Sequence, residues 1–315
     1  MIILFLLAAC SPLQGQRINP SPTTVIQASR QNSSMDMTMD STSQPGNNEP
    51  LEINSEGTMT VKAIEGVSNL TGDAANHLQV TYIGNAGFMI TTNHKKVIID
   101  GLFRGFDGIY TLPEDIQNKL ALAQAPFDNI DLILVTHNHR DHFSSGLVAQ
   151  HLQNDPTTVL AALPSITGQF PNYTDRLVAF DPTPEEPGDN NIDGIQVEAL
   201  ALTHGPGQPE NIGFVVEVEG FKLFFSGDVD LTHVSYEVFR SYKLPEKKLD
   251  IAFIQHFYLT DIPEEQQFIK QGIAAKYLIP THYFYTTPPF NRETVKTFYP
   301  DAILFDSELS SWVMP

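Results

Sequence analysis

Hydrophobic and polar positions divide the chain near residue 75. From there on, short apolar runs alternate with polar turns. The stretch "HLQVTYIGNAGFMITTNHKKVIID" (77–100) holds three β-rich runs separated by Gly/Asn and Asn/His turns, which predicts an antiparallel meander. Residues 112–124 open with proline and acids and predict a helix. "IDLILVT" (130–136) is apolar without a break, the pattern of a strand covered on both faces. Residues 144–154 predict a helix capped by Ser144 or Ser145. The second half repeats the mixture: a strand at 194–202, a hairpin over 211–228 turning at Glu219-Gly220, and a helix at 231–242. A strand at 249–255, a helix at 263–272, a strand at 275–282 and a helix at 292–299 follow. Two groups of strands, each with its own helices, predict an α/β chain with two packed sheets and helices outside.

Residues 11–75 show no such pattern. They are rich in Ser, Thr, Gln, Asn and Pro, have almost no aromatic residues, and read as a linker unable to bury enough apolar surface to offset ordering entropy. Residues 1–10, "MIILFLLAAC", hold nine apolar positions, too few to cross a bilayer but suited to the core of a secretion signal. "LAAC" resembles the bacterial lipobox, although no Lys or Arg precedes the apolar run. It implies that Cys10 is lipidated and that a folded domain, residues 76–315, hangs from the cell envelope on a tether. Ser11 after it points to the outer membrane, if the host has one. Cys10 is the only cysteine, so no intrachain disulfide can form. A formal net charge of −19 with no basic cluster argues against nucleic acid as a partner and leaves a small-molecule or lipid-like substrate.

The candidate chemistry sits where apolar runs end. "THNHRDHF" (136–143) follows the strand 130–136 and packs His137, His139, Asp141 and His142 together. Alone, this is compatible with a hydrogen-bonded polar loop. Three more strand ends deliver the same residue types: His204 in "LTHG", Asp228 in "FFSGD" and His282 in "LIPTH". Imidazole and carboxylate converging at strand ends is what a borderline divalent metal needs. Asp230, two residues after Asp228, is the alternative carboxylate at that strand end. His77, His94, His151 and His233 have no partner pattern and read as surface or capping residues. His256, Tyr283 and Tyr285 lie near strand ends, where a proton donor could stand, but read more simply as packing residues.

The ordered set "HNHRDH", His204, Asp228, His282 resembles the metallo-β-lactamase-fold superfamily over residues 80–282. The resemblance implies a four-layer αββα sandwich. It implies that His137, His139 and His204 bind one metal ion, that Asp141, His142 and His282 bind a second, and that Asp228 bridges them. "YIGNAGFMI", "KVIIDG" and "THGPGQPENIGFVVEVEGFKLFFSGD" are similar to the branch with L-ascorbate-6-phosphate lactonase and N-acyl phosphatidylethanolamine phospholipase D. The branch often has His or Ser where Asn85 stands and Asp-Pro where Asp100-Gly101 stands. The implied activity is hydrolysis of an ester-like bond (lactone, phosphodiester or phospholipid) by a metal-bound hydroxide, with Asp141 as the group that can take the water's proton. Zinc is the ion expected, and manganese or iron suits the same donors. The competing readings are a mononuclear iron oxygenase acting on persulfides and a non-catalytic envelope lipoprotein. If the lipobox reading holds, Cys10→Ala blocks processing and releases the chain from the membrane fraction. Wild-type chain in the cytosol with Met1 intact would end it.

Overall fold

The computed structural model describes residues 77–284 and 289–315; Cys10, the linker and Tyr285 lie outside them. β1 (Gln79–Gly84), β2 (Gly87–Thr91) and β3 (Lys96–Ile99) form the meander, and a small hairpin of β4 (Gly105–Phe106) and β5 (Tyr110–Thr111) leads to α1 (Glu114–Ala121). β6 (Leu132–Val135), α2 (Ser145–Asn154), β7 (Val159–Ala162), α3 (Pro164–Thr167) and β8 (Leu177–Ala179) follow. Next come β9 (Gly188–Ile192), β10 (Ile195–Ala201), β11 (Ile212–Val218) and β12 (Phe221–Phe225). Then α4 (Tyr236–Ser241), β13 (Ile251–Gln255), α5 (Pro263–Gln267), β14 (Tyr277–Thr281), α6 (Arg292–Phe298) and β15 (Ser311–Val313) close the chain.

The strands make a seven-stranded sheet, β15-β1-β2-β3-β6-β7-β8, and a six-stranded sheet, β14-β13-β12-β11-β10-β9. In the first, β3, β6, β7 and β8 are parallel; in the second, β12, β13 and β14 are. Side chains alternate across a strand, so each strand reports on both of its faces. Val97, Ile99, Leu132 and Leu134 point to a core shared with Val197, Phe214, Phe225 and Phe253 of the other sheet. Their neighbours Ile98, Ile133 and Val135 face a second core with residues of α1 and α2. Val215, Phe224, Ala252 and Ile254 face a third core with Phe239 of α4 and Val295 of α6. Three apolar layers between four layers of structure make the αββα sandwich, as the resemblance implied.

Several expected boundaries shift. The helix expected at 231–242 is α-helical only over Tyr236–Ser241, because the side chain of Ser235, not an earlier residue, caps Val238 N. Residues 231–234 are instead held in turns on Asp230, which accepts from Thr232 N through Oδ1 and from His233 N through its carbonyl. The helix expected at 263–272 is α-helical to Gln267 and then widens into a π-turn over Phe268–Ile273. Gly272 there packs against the Phe239 ring, where an added Cβ would lie 3.1 Å from Cδ1. His151, expected at the surface or as a cap, is fully buried in α2. Its Nδ1 donates to Leu120 O of α1 at 2.6 Å, which leaves Nε2 to accept from Thr158 Oγ1 at 3.4 Å. Burial holds its pKa down, so it serves as a neutral polar peg between two helices.

Phe253 ties the sheets together. Its ring stacks on Phe225 at 3.9 Å and meets Phe88 of the other sheet at 4.9 Å. Phe253→Ala should cost roughly 3–5 kcal/mol, read from urea unfolding by circular dichroism. A loss under about 1 kcal/mol would mean that this ring does not organise the central core.

Candidate metal centre

Parallel strands put their C-terminal ends on one edge, and this edge collects the ligand-type residues. The loop after β6 carries His137, His139, Asp141 and His142. It folds back because His142 N and Phe143 N both donate to His139 O, at 3.1 and 2.8 Å, before Ser144 caps α2. His204 follows β10, Asp228 follows β12 and His282 follows β14. All seven meet. Ligand atoms of His137, His139, His204 and Asp228 lie within 4.8 Å of one another, and so do those of Asp141, His142 and His282. Asp228 Oδ2 joins the two groups. It lies 3.6 Å from His137 Nε2, 3.4 Å from His204 Nε2, 3.3 Å from His142 Nε2 and 3.0 Å from His282 Nε2.

The backbone is bent to reach this arrangement. Gly227 has φ +53°, and an added Cβ would sit 2.2 Å from Asn211 Oδ1, so only glycine fits before Asp228. Asn85, Asp100 and His282 also occupy the left-handed region, with φ of 45°, 49° and 62°. For Asn and Asp this is tolerable; at His282 it marks a position held by its surroundings.

Four polar residues outside the cluster fix the ones inside it. Asp100 Oδ1 accepts from Thr136 N at 2.8 Å, and Oδ2 takes the Thr136 hydroxyl proton at 2.6 Å and His142 Nδ1–H at 2.9 Å. The hydroxyl has only one proton, so at 3.0 Å it must accept from His137 Nδ1–H. One carboxylate thereby sets the tautomer of an imidazole in each group and turns both Nε2 lone pairs toward the centre. Asn85 donates to Asp141 Oδ2 at 3.0 Å, while its carbonyl takes His282 N and its Oδ1 takes Phe284 N. Asn211 accepts from Asp228 N at 2.9 Å and donates to Leu202 O and Ser226 O. Sequence reasoning met Asn85 and Asp100 only as departures from a branch and did not reach Thr136 or Asn211 as site residues. The available signal was Asp100's place directly after an apolar strand, the same place that marked Asp228.

The electrostatics are those of a cation site. Burial raises the Asp228 carboxyl, but His142 and His282 outweigh it and hold the pKa well below the usual range. Asp141, against the same opposing burial, is brought down to about 2 by His142 and His282. Burial lowers His142 and His282, yet the carboxylates win. His142 is held well above its ordinary value by Asp228, Asp141 and Asp100, and His282 is raised to about 9, chiefly by Asp228 and Asp141. Burial drives His137 far down, with His142 adding to it, and lowers His139. Even so, protons cannot serve every group. His142 Nε2 and Asp228 Oδ1 are buried without a hydrogen-bond partner, and His137 Nε2 faces His139 Nδ1 at 3.0 Å. Divalent ions can accept these lone pairs together, so the donors fit a metal. Nitrogen and oxygen donors without sulfur suit zinc, manganese and iron.

The remaining candidates fall away from the cluster. Asp230 is turned to Thr232 and His233, with Oδ2 2.7 Å from His233 Nδ1. His94 pairs with Glu219. His256 is pushed down to about 4 by burial and by His282, and its ring packs edge-on against Phe257 and Phe290. Tyr283 stacks on Phe290 at 4.1 Å, and burial raises its hydroxyl to about 12.

The family model for the beta-lactamase superfamily domain matches residues 79–282. A UPF0173 metal-dependent hydrolase of Ligilactobacillus salivarius is 26% identical over 231 residues, 71% of this chain and 93% of that protein. One of the same name from Pelotomaculum thermopropionicum is 27% identical over 164 residues, 49% of this chain and only 63% of its own length. Among solved structures, the metallo hydrolase Igni18 of Ignicoccus hospitalis aligns with a TM-score of 0.54 at 14% identity, covering 76% of this chain and all but 1% of that one (99% covered). The metallo-beta-lactamase fold protein YhfI of Bacillus subtilis aligns with a TM-score of 0.51 at 15% identity, covering 76% and 100%. At such identity the structural likeness speaks for the fold.

Asp100→Asn tests the supporting shell. Asparagine tolerates the left-handed backbone, so the fold should hold while zinc affinity falls about 10–100-fold. Zinc titration against a competing chelator, with the melting temperature as control, reads both. Unchanged affinity would show that Asp100 does not orient the imidazoles.

Proposed function

The chain belongs to the beta-lactamase superfamily and is a metal-dependent hydrolase with the metallo-β-lactamase fold, and we propose that it cleaves an ester-like bond with two divalent ions held by the seven clustered side chains. The observation that carries this reading is Asp228 Oδ2. One buried carboxylate oxygen lies within reach of imidazoles from both groups, 3.0 Å from His282 and 3.4 Å from His204, as a bridge between two cations would.

His137, His139 and His204 would hold one ion and Asp141, His142 and His282 the other, with zinc the ion proposed. Two such ions supply a hydroxide equivalent at neutral pH and a Lewis acid for the carbonyl or phosphoryl oxygen. The chain's own part is orientation. Asp100 and Thr136 aim His142 and His137, Asn85 aims Asp141, and Asn211 fixes the backbone at Asp228. Asp141, ionised throughout the neutral range, is the proposed acceptor of the attacking water's proton. Lactones, phosphodiesters and phospholipids are the bonds in view. A lipid anchor at Cys10 and an envelope location remain part of the proposal on the strength of the "LAAC" stretch.

Asp228→Ala should cost more activity than any single histidine change and at least the ~100-fold of a lost supporting residue, because the two ions would then repel each other without a shared counter-charge. Elemental analysis should find about two zinc ions per wild-type chain and fewer in the variant. Chelation should abolish activity, and added zinc or manganese should restore it. Full metal content and full rate in Asp228→Ala would sink the bridging assignment. One iron per chain with oxygen uptake would replace hydrolysis by the oxygenase reading. Because His282, raised to about 9, must lose its proton to bind metal, zinc affinity should rise with pH up to about 9, by about tenfold per unit for each proton released.

A further inference from the structure

A cavity of about 470 Å³, whose wall holds none of the seven clustered side chains but does hold their neighbours Thr203 and Asn211, is within the ~300–1,000 Å³ usual for small-molecule pockets. Strand topology places it on the same edge as the cluster. β6 and β7 are parallel neighbours, so Leu163, after β7, lies at the edge where His137 and His139 follow β6. Thr203, in the cavity wall, is the residue before His204. Asn211, also in the wall, holds the backbone of Asp228.

The lining combines buried apolar residues with exposed acidic ones. Leu163, Leu202 and Ile212, all buried, supply apolar surface from the ends of β7, β10 and β11, and Val234 and Val238 add that of the α4 segment. Asp181 and Glu210 are exposed on the wall. His233, the one basic group among the described lining residues, is already paired with Asp230 at 2.7 Å. An apolar group gains by leaving water here. A phosphate or carboxylate would meet two carboxylates with no free cation among those described residues, inside a chain of net charge −19.

We infer that this cavity takes the uncharged, apolar acyl arm of the substrate, so that among ester-like bonds the site is built for carboxylic esters or lactones carrying an alkyl chain and not for phosphorylated compounds. This rests on the hydrolase reading above. The acyl carbon sits at the metal cluster and the arm runs past His204 into the cavity. Water adds its oxygen to that carbon, the bond from carbon to the alkoxy oxygen breaks, and the departing oxygen takes a proton.

Val238, part-buried in the cavity wall and outside the metal cluster, is the residue to fill. Zinc-loaded full-chain protein should hydrolyse p-nitrophenyl octanoate with a kcat/KM at least tenfold above that for the acetate. Val238→Trp should reduce that octanoate-over-acetate preference below threefold. Octanamide, a neutral probe, should bind the wild-type chain in calorimetry and bind Val238→Trp at least tenfold more weakly. That second measurement does not depend on turnover. Octanamide binding that Val238→Trp weakens, with no ester hydrolysis, would sink the ester-cleaving reading and keep the cavity as an apolar binding site. Equal rates for both esters with no octanamide binding would overturn the assignment, as would bis(p-nitrophenyl) phosphate turning over faster than either ester. A variant that has lost its melting transition is replaced by Val238→Leu, for which the same loss of chain-length preference, smaller in size, is expected and an unchanged preference overturns.

Discussion

Asp228 is a carboxylate sealed from water among four imidazole nitrogens, and most of this edge of the molecule is arranged around it. At 5% exposure, an ion of either sign is expensive to bury unless opposite charge and hydrogen bonds meet it on several sides. One oxygen is so met, and the other is not. The imidazoles of His142 and His282 offset part of the cost, and the carboxylates raise the pKa of both in return. A proton, however, lies on one line between two atoms, while a divalent ion gathers four or more donors at once. The cluster is therefore a set of lone pairs whose mutual repulsion is relieved best by cations.

That requirement explains the strain around it. Four strand ends must deliver side chains to one small volume, and strands alone cannot do so, since their residues point alternately to opposite faces. The chain turns sharply at each delivery point: Gly227 before Asp228, and His282 itself in the left-handed region, its N–H tied to Asn85 O. The rigid part is the sandwich, whose parallel strands end together. Asp100 connects the two levels. It leaves the end of β3 and, through Thr136, reaches one imidazole of each group, so the first sheet fixes the tautomers that both halves of the site need.

The sequence made the clustered residues legible because each sits at, or in the loop that begins at, the end of an apolar run. The same placement pointed to Asp100, but its role was not visible, because an orienting residue is defined by the partner it meets in space. Layer order was legible for a related reason. Strands such as "LILV" are apolar on both faces, which only a doubly covered strand permits. β7, β8 and β9 carried too little pattern, at three to five residues each, and His151 misled because a buried imidazole satisfied by Leu120 O resembles any polar helix residue on paper. Helix lengths failed where a cap intervened, as Ser235 did.

Net acidity and the metal cluster look contradictory at first, since metal-assisted phosphoester chemistry draws in anions. The contradiction eases when the charges are placed. The cluster's own two carboxylates are nearly covered by imidazoles, so the cations they hold would leave positive charge at the reacting atoms only. Beyond that short range the field of a −19 chain dominates, and it repels a substrate that carries its own negative charge. A neutral ester or lactone feels neither penalty, and its polar bond meets the cations only on arrival. Small neutral ligands bind mainly through apolar contact, and the apolar surface of Leu163, Leu202 and Ile212 lies on the edge where that contact would also hold the bond at His204. On the proposed reading, charge distribution and cavity lining would favour the same kind of substrate by different means, one through long-range repulsion and the other through contact.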